Sequence, residues 1–411
     1  MLKNLKRPQV LILVVVCAAI LVVGAGQYFW VRAYDELEAK LEIYLKSLEI
    51  VKTEYLEKNL DNTKLVYGSI KGMLESLDDP YTRFMEPSAF KEMNVRLSGS
   101  YSGIGIYIGM KDKQLVVISP ISGTPADKVG LKAMDKIMAI DSKSTKDMAL
   151  DEAVSLIRGP SGSSVKLGIL RGKWKEPKEY NVAREKITIK SVESKSLDKD
   201  LFYVKLNTFE NNNAGSEMSK ALDDAKRAKA KGLILDLRNN GGGLLRMAAD
   251  IGSMFIKDGV IVYTVDRDDR KETISSTGQV EWDKPMVVLV NESSASASEI
   301  LAGALQDNKV ATIVGTHTFG KAYVQNVKQL DDGSAILLTI AKYYTPAGHD
   351  ISKKGIIPDV LVELPKVSSE EALEGVTVPE NQDDQLKMAI EVLKDKIGKG
   401  SQAKSTKIIH M

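Results

Sequence analysis

In this chain of 411 residues, the side chains best suited to covalent chemistry sit in two short segments and one glycine turn. The first segment is Asn291-Glu292-Ser293-Ser294-Ala295-Ser296-Ala297-Ser298-Glu299, directly after the apolar run Met286-Val287-Val288-Leu289-Val290. A serine there stands where a strand turns into a helix. Free N–H groups and the positive end of the helix dipole would stabilise an alkoxide or a tetrahedral oxyanion. The small neighbours of Ser296 let a substrate backbone come close. The same residues also suit simple helix N-capping, a frequent use of serine-rich turns.

The second segment is Thr318-Phe319-Gly320-Lys321-Ala322-Tyr323-Val324-Gln325. Lys321 could return to Ser296 and act as a general base if it were neutral. Bringing a lysine from ~10.4 to ~7–8 takes about 4 kcal/mol of differential destabilisation. Burial beside Phe319, Tyr323 and Val324 is the expected source, with Gln325 orienting the amine. A solvated loop lysine is the plainer alternative. His317 is a rival base, with Glu299 as the third, orienting group of a Ser–His arrangement. The glycine turn is Asp236-Leu237-Arg238-Asn239-Asn240-Gly241-Gly242-Gly243-Leu244. It lacks the Lys-Ser/Thr pair of a phosphate-binding loop and the spaced glycines of a dinucleotide site, so an oxyanion role fits better.

An α/β pattern should position these pieces. Strands are expected at 202–206, 232–237, 260–265, 286–290, 311–314 and 335–342, and helices at 214–230, 244–255 and 298–305. Such alternation argues for a sheet covered by helices. Residues 97–183 read as a small, mostly β module with strands at 115–118, 165–170 and 180–182 and helices at 124–129 and 150–157. Residues 81–90 read as a loop leading into a short helix. Upstream, 32–60 reads as helix with a seam of Tyr34, Leu37, Leu41, Tyr44, Leu48, Val51 and Tyr55. The seam either joins two copies of the chain or packs on its own domain. A second helix through Val66, Ile70, Met73 and Leu74 stops before Pro80. A last helix at 385–396 precedes a polar end expected to lack fixed structure.

The N-terminus carries a targeting signal. Lys3, Lys6 and Arg7 precede an uncharged stretch, 8–31, that ends in Tyr28-Phe29-Trp30 and Val31. Its length suits a bilayer core of ~30 Å. The basic flank and the aromatic belt predict a single-pass anchor in the cell membrane, N-terminus cytoplasmic, with everything downstream exported. A cleaved signal peptide with Gly24 and Gly26 near the cut is the alternative. Cys17 is the only cysteine and follows Val16, so it offers neither a disulfide nor a lipid-attachment site. Three histidines make a multi-His metal site unpromising. A net charge of +2, spread along the chain, gives no reason to expect nucleic acid.

Taken together, the segments resemble the carboxy-terminal processing peptidases, or tail-specific proteases. The resemblance runs from about Leu65 to Leu393. It includes Ile70-Lys71-Gly72-Met73-Leu74, Leu77-Asp78-Asp79-Pro80-Tyr81, Tyr101-Ser102-Gly103-Ile104-Gly105, the glycine turn, the serine segment, Gly320-Lys321, Tyr344-Thr345-Pro346-Ala347-Gly348 and Gly355-Ile356-Ile357-Pro358-Asp359. It implies Ser296 as nucleophile, Lys321 as base and Gln325 as its support. It implies an oxyanion hole from the backbone N–H groups of Gly242 and Ala297. No metal or organic cofactor is implied. The implied fold is an α/β peptidase core of ClpP/crotonase type, a mixed sheet with helices, with an inserted mainly-β PDZ domain, N-terminal helices and one transmembrane helix. The expected organisation is a cytoplasmic N-terminus 1–8, a transmembrane anchor 9–31, a helical region 32–96 suited to dimerisation, a PDZ domain 97–183, a serine peptidase domain 184–365, and a C-terminal helix and tail 366–411.

The PDZ groove would take protein or peptide substrates by their free C-termini. Tyr101, Ser102, Gly103, Ile104, Gly105 and Ile106 would form the carboxylate loop, and Val154 and Ile157 the side-chain pocket, although both suit plain core packing as well. A catalytically silent PDZ-type adaptor is the competing function. The chain departs from the family pattern at Ala322 and Met134, where glycine is usual, and at Gly241, often proline. Ala322 raises the question of whether the lysine loop can adopt its active geometry.

Overall fold

The computed structural model describes residues 37–111, 113–363 and 382–409, the side chains of 151 and 400–409 excepted. The expected anchor at 9–31 and the seam residue Tyr34 lie outside them. Among the described residues no helix is long and apolar enough to cross a membrane. The chain forms two compact units, Met1–Met73 and Leu74–Met411.

In the first unit, 37–54 is a helix. Its seam faces solvent: Leu37 is 58% exposed, Leu41 50% and Tyr55, just past the helix, 56%. The next helix, Asn62–Glu75, is capped by Asp61, whose Oδ1 accepts from the N–H of Thr63 at 2.8 Å. That bond satisfies one of the donors a helix start leaves free.

In the second unit, a six-stranded sheet runs 192–196, 201–206, 232–236, 286–290, 312–315, 360–361. Its first pair is antiparallel and the rest are parallel. Gly232–Asp236 and Met286–Val290 are buried at every position, as central parallel strands covered on both faces must be. Helices Ala214–Arg227, Leu245–Ser253 and Ala297–Asp307 contribute Met218, Leu222, Ile251 and Leu301 to the core on one face. The C-terminal helix contributes Leu386, Ala389 and Leu393 on the other. It runs from Asp384 to Ile409, through the end expected to be unstructured. The 214–225 helix face, apolar at 214, 218, 221, 222 and 225, shows why this pattern makes a helix.

A second, antiparallel sheet contains 323–329, 335–344, 260–266, 271–275 and a short strand at Arg83–Met85. That strand falls where a loop was expected. Three residues are too few to show alternation; it forms because it pairs antiparallel with 335–337, where Phe84 and Met85 become buried. Helix Pro87–Leu97 then packs Phe90 and Met93 on the same sheet. Residues 83–97 therefore add a strand and a helix to this second sheet.

The β module has strands 106–111, 114–120, 136–140, 164–170 and 178–183 in that order, with 143–144 beside 136–140. Its core includes Ile104, Val117, Ile137, Val165, Leu167, Ile169 and Val182. Strand 136–140 is not readable from alternation because its inner positions, Ile137 and Ile140, are not spaced by two: the register shifts between Ile137 and Ala139.

One buried charge cluster docks the C-terminal helix. Arg238 donates to both oxygens of Asp236, to Asp383 Oδ1 at 2.9 Å and to Gln385 Oε1 at 3.2 Å. Tyr203 O–H donates to Asp236 at 2.7 Å. Replacing Arg238 with alanine leaves two buried carboxylates without their cation. A loss of about 3–5 kcal/mol is expected, read as a lower urea midpoint.

Candidate active site

The serine turn begins where Val290 leaves the central strand. Its hydroxyls and amides lace it to the glycine turn. Ser294 Oγ donates to Leu237 O and Ser298 Oγ to Asn240 O, both at 2.8 Å, and Ala295 N–H donates to Asn240 O at 3.1 Å. Asn239 and Asn291 pair through two further bonds of 2.9 and 2.8 Å. Over-determined in this way, Ser296 adopts φ 56° and ψ −114°, a conformation L-residues avoid. Strain of this kind persists only where surrounding contacts enforce it, and it concentrates at functional turns.

Ser296, Lys321 and Gln325 all line one cleft of about 280 Å3, with Gly241, Gly243, Leu244, Ile300 and Tyr323. Lys321 Nζ donates to Gln325 Oε1 at 2.9 Å. Among the described residues no hydrogen bond joins Ser296 Oγ to Lys321 Nζ. Burial pushes the Lys321 amine below the ordinary lysine range, helped by the charge of Arg83 and opposed by Asp79 and Glu299. Phe319, expected to help bury the amine, is 54% exposed. The ring beside Nζ is that of Tyr81, with its centroid 4.9 Å away.

Glu299 organises both halves of the site, and no part of it is exposed. Its Oε2 accepts from the N–H of Ser296 at 2.8 Å and from the N–H of Lys321 at 2.9 Å. Its Oε1 accepts from Gly320 N–H and Thr318 Oγ1, each at 2.6 Å. Burial pushes this carboxyl up, and those four donors pull it back. The Tyr343 hydroxyl completes the clamp by donating to Lys321 O, with Ser296 O 3.2 Å away. Glu299 was expected only as a partner for His317. Instead His317 is exposed, and none of the carboxylate's bonds goes to it. Nothing local in the sequence marks Tyr343 as part of the site, and Tyr81 stood out only as the last residue of the motif Leu77-Asp78-Asp79-Pro80-Tyr81, with no role attached.

Ala297 N–H, first in its helix, has no hydrogen bond among the described residues, as an oxyanion donor requires. Gly242 N–H is engaged: it donates to Asn240 Oδ1 at 2.9 Å in an Asx turn. Gly241 and Gly243 line the cleft, and their N–H groups carry no bond among the described residues. Gly242 serves by its size. A Cβ there would lie 2.6 Å from Ala295 O and 2.8 Å from Ala297 N.

Comparison with known proteins decides the family. Residues 200–362 match peptidase family S41, 91–170 match the PDZ domain, and 21–89 match the N-terminal domain of the activating protease CtpB. The chain is 41% identical to the carboxyl-terminal-processing protease of Synechocystis sp., over 78% of this chain and 76% of that one. It is 38% identical to the carboxy-terminal processing protease CtpA of Bacillus subtilis, over 87% and 76%. The chain belongs to peptidase family S41. It is a serine-type C-terminal-processing protease with a PDZ domain. Among solved structures, a photosystem II D1 C-terminal processing protease is 34% identical, with a TM-score of 0.48 over 81% of this chain and 91% of its own.

The PDZ domain of this S41 peptidase has a groove of about 160 Å3. It lies between the edge strand Ile106–Lys111 and the helix Leu150–Ile157, and is lined by Tyr101, Gly103, Ile104, Gly105, Ile106, Val154, Ile157 and Arg158. Ser102 does not line it. Residues 100–103 form a strand paired with 185–188, and alternation turns Ser102 away from the face of Tyr101 and Gly103. The N–H groups of Ile104 and Gly105 carry no bond among the described residues. Gly105, at φ 77°, could not be another residue, since its Cβ would lie 2.3 Å from Thr124. Arg158, which the sequence reading passed over, stacks on Tyr101 at 4.8 Å and pairs with Glu92.

The family departures resolve differently. Among the described residues Ala322 is not one of positive φ; the left-handed residue of the lysine loop is Gly320, at φ 87°. Ala322 is buried in the core and needs no glycine. Met134 does take the left-handed conformation, at φ 66°, with its side chain 50% exposed.

Proposed function

We propose that this protein is a membrane-anchored serine endopeptidase that cleaves exported proteins near their C-termini. Ser296 is the nucleophile, Lys321 the general base, and the PDZ groove the receptor for the substrate tail. The observation that carries this reading is the shared cleft. It holds a serine in a strained turn and a lysine whose burial favours the neutral amine.

Ser296 Oγ attacks the scissile carbonyl carbon while Lys321 Nζ takes its proton. The oxyanion is received by the N–H of Ala297 and by a free N–H of the glycine turn, that of Gly241 or Gly243, because the N–H of Gly242 is committed to Asn240. Collapse breaks the C–N bond, and the proton on Lys321 goes to the leaving amine. Water then attacks the acyl ester, gives a proton to Lys321, and the Ser296 hydroxyl is regenerated by its return. Without a bond from Oγ to Nζ, the arrangement described is a resting one; a bound chain would draw the two together.

A substrate tail adds to the edge strand Ile106–Lys111, its carboxylate at the amides of Ile104 and Gly105 and its last side chain against Val154 and Ile157. The exposed seam on 37–54 supports self-association of the N-terminal region. The basic flank and uncharged stretch at 8–31 support an anchor with the peptidase outside the cytoplasm.

The test is to give the full chain one protein substrate in two forms, with a free or an amidated apolar C-terminus. Mass spectrometry should find cleavage near the free-ended tail and a kcat/KM at least about tenfold lower for the amide, the equivalent of one lost charge-assisted contact. Equal cleavage of both would remove tail capture from the reading.

A further inference from the structure

The resting lysine is held by a residue outside both catalytic segments. Tyr81 belongs to the turn before strand Arg83–Met85. Its ring centroid lies 4.9 Å from Lys321 Nζ and 5.6 Å from the Tyr323 ring. Its main-chain oxygen accepts from Gln325 Nε2, the amide whose other end accepts from Lys321 Nζ. The turn itself is braced. Asp79 accepts from Tyr81 N–H at 3.0 Å and from Thr82 Oγ1 at 2.7 Å, and Thr82 Oγ1 accepts from Thr339 N–H at 3.1 Å. Tyr81 therefore reaches the base twice, through its ring face and through Gln325.

We propose that Tyr81 is a positioning residue for the general base, its ring face holding Lys321 as a cation and its carbonyl fixing Gln325. The inference rests on Lys321 being that base. An aromatic face attracts an ammonium and has no such attraction for a neutral amine. It therefore opposes deprotonation, in the same direction as Asp79 and Glu299 and against burial and Arg83. These groups face Nζ from the turn at 79–83 and from the serine helix. The chemical sense is a brake: the ring face favours the cation over Tyr81, against the burial that favours the neutral amine, until a substrate chain enters the cleft.

The pH profile separates this role from a merely structural one. Activity needs neutral Lys321, so kcat/KM rises with pH through the lysine's pKa. Removing a group that favours the cation moves that rise to lower pH. For the full chain and a tailed substrate, Tyr81→Leu should move the acid limb down by about half to one pH unit. Tyr81→Phe, which keeps a ring face, should leave the limb where the wild-type chain has it. Fluorinated phenylalanines at position 81 keep the shape and weaken the negative ring face, so the limb should descend stepwise with fluorine number. That series keeps the test alive if leucine disturbs the fold. A limb that stays fixed across the fluorinated series overturns the proposal. If Lys321→Ala retains activity, the failure lies with the base assignment itself; if it is inactive and the limb is fixed, only the role of Tyr81 falls.

Discussion

Replacing Lys321 with alanine is expected to lower the turnover of a tailed substrate by about 10⁴-fold or more, and replacing Ser296 with alanine by a similar factor. The proposed mechanism makes the two side chains one unit, so the double variant should be little worse than either single one. The physical ground is the environment of the amine. Nζ is half-buried, bonded to Gln325 Oε1 at 2.9 Å, and pushed below the usual lysine range by burial and by Arg83. The rate should therefore rise with pH along a limb below that of an ordinary lysine. His317→Gln is the matched control: His317 is exposed and lies outside the cleft, so turnover should match that of the wild-type chain. Retained cleavage by either alanine variant, measured with the same substrate, would sink the dyad.

The second large effect is expected at Glu299. This fully buried carboxylate takes four hydrogen bonds, two of them from the backbones of Ser296 and Lys321. Glu299→Gln keeps the shape but presents an NH2 group where Thr318, Gly320, Ser296 and Lys321 all donate. At least one pair of donors must then face each other. A loss of about 2–4 kcal/mol in stability is expected, from stranded buried donors and the lost charge-assisted bonds. Turnover should fall by about 10²-fold or more, because a misplacement near 1 Å at the reacting atoms has that cost. Urea denaturation and single-turnover kinetics measure the two separately. A folded variant with wild-type turnover would show that the backbone clamp is dispensable.

These two positions also show how much was legible in the residues alone. Lys321 and Ser296 stood out because their neighbours matched a family pattern in order, not because either segment was decisive by itself. The alternation of apolar strands and amphipathic helices from 201 to 314 was equally readable, since 3.6-residue and two-residue periods are properties of the chain. Strand 83–85 and Tyr81 were not. Three residues carry no period, and what makes 83–85 a strand is the opposing edge at 335–337, while what makes Tyr81 part of the site is its meeting with Lys321 and Gln325.

The sequence by itself determined the family, the order of the two domains, and the serine, lysine and glutamine that share the cleft, because these depend on local pattern and residue type. Only the tertiary structure decided what surrounds them. It gave Glu299 to the backbones of Ser296 and Lys321 rather than to His317, and turned the Gly242 amide to Asn240. It put the left-handed turn at Gly320 rather than at Ala322, and set Tyr81 against the amine. Each of these depends on groups far apart in the chain meeting at about 3–5 Å in a partly buried cleft, where one hydrogen bond or ring face outweighs any local preference.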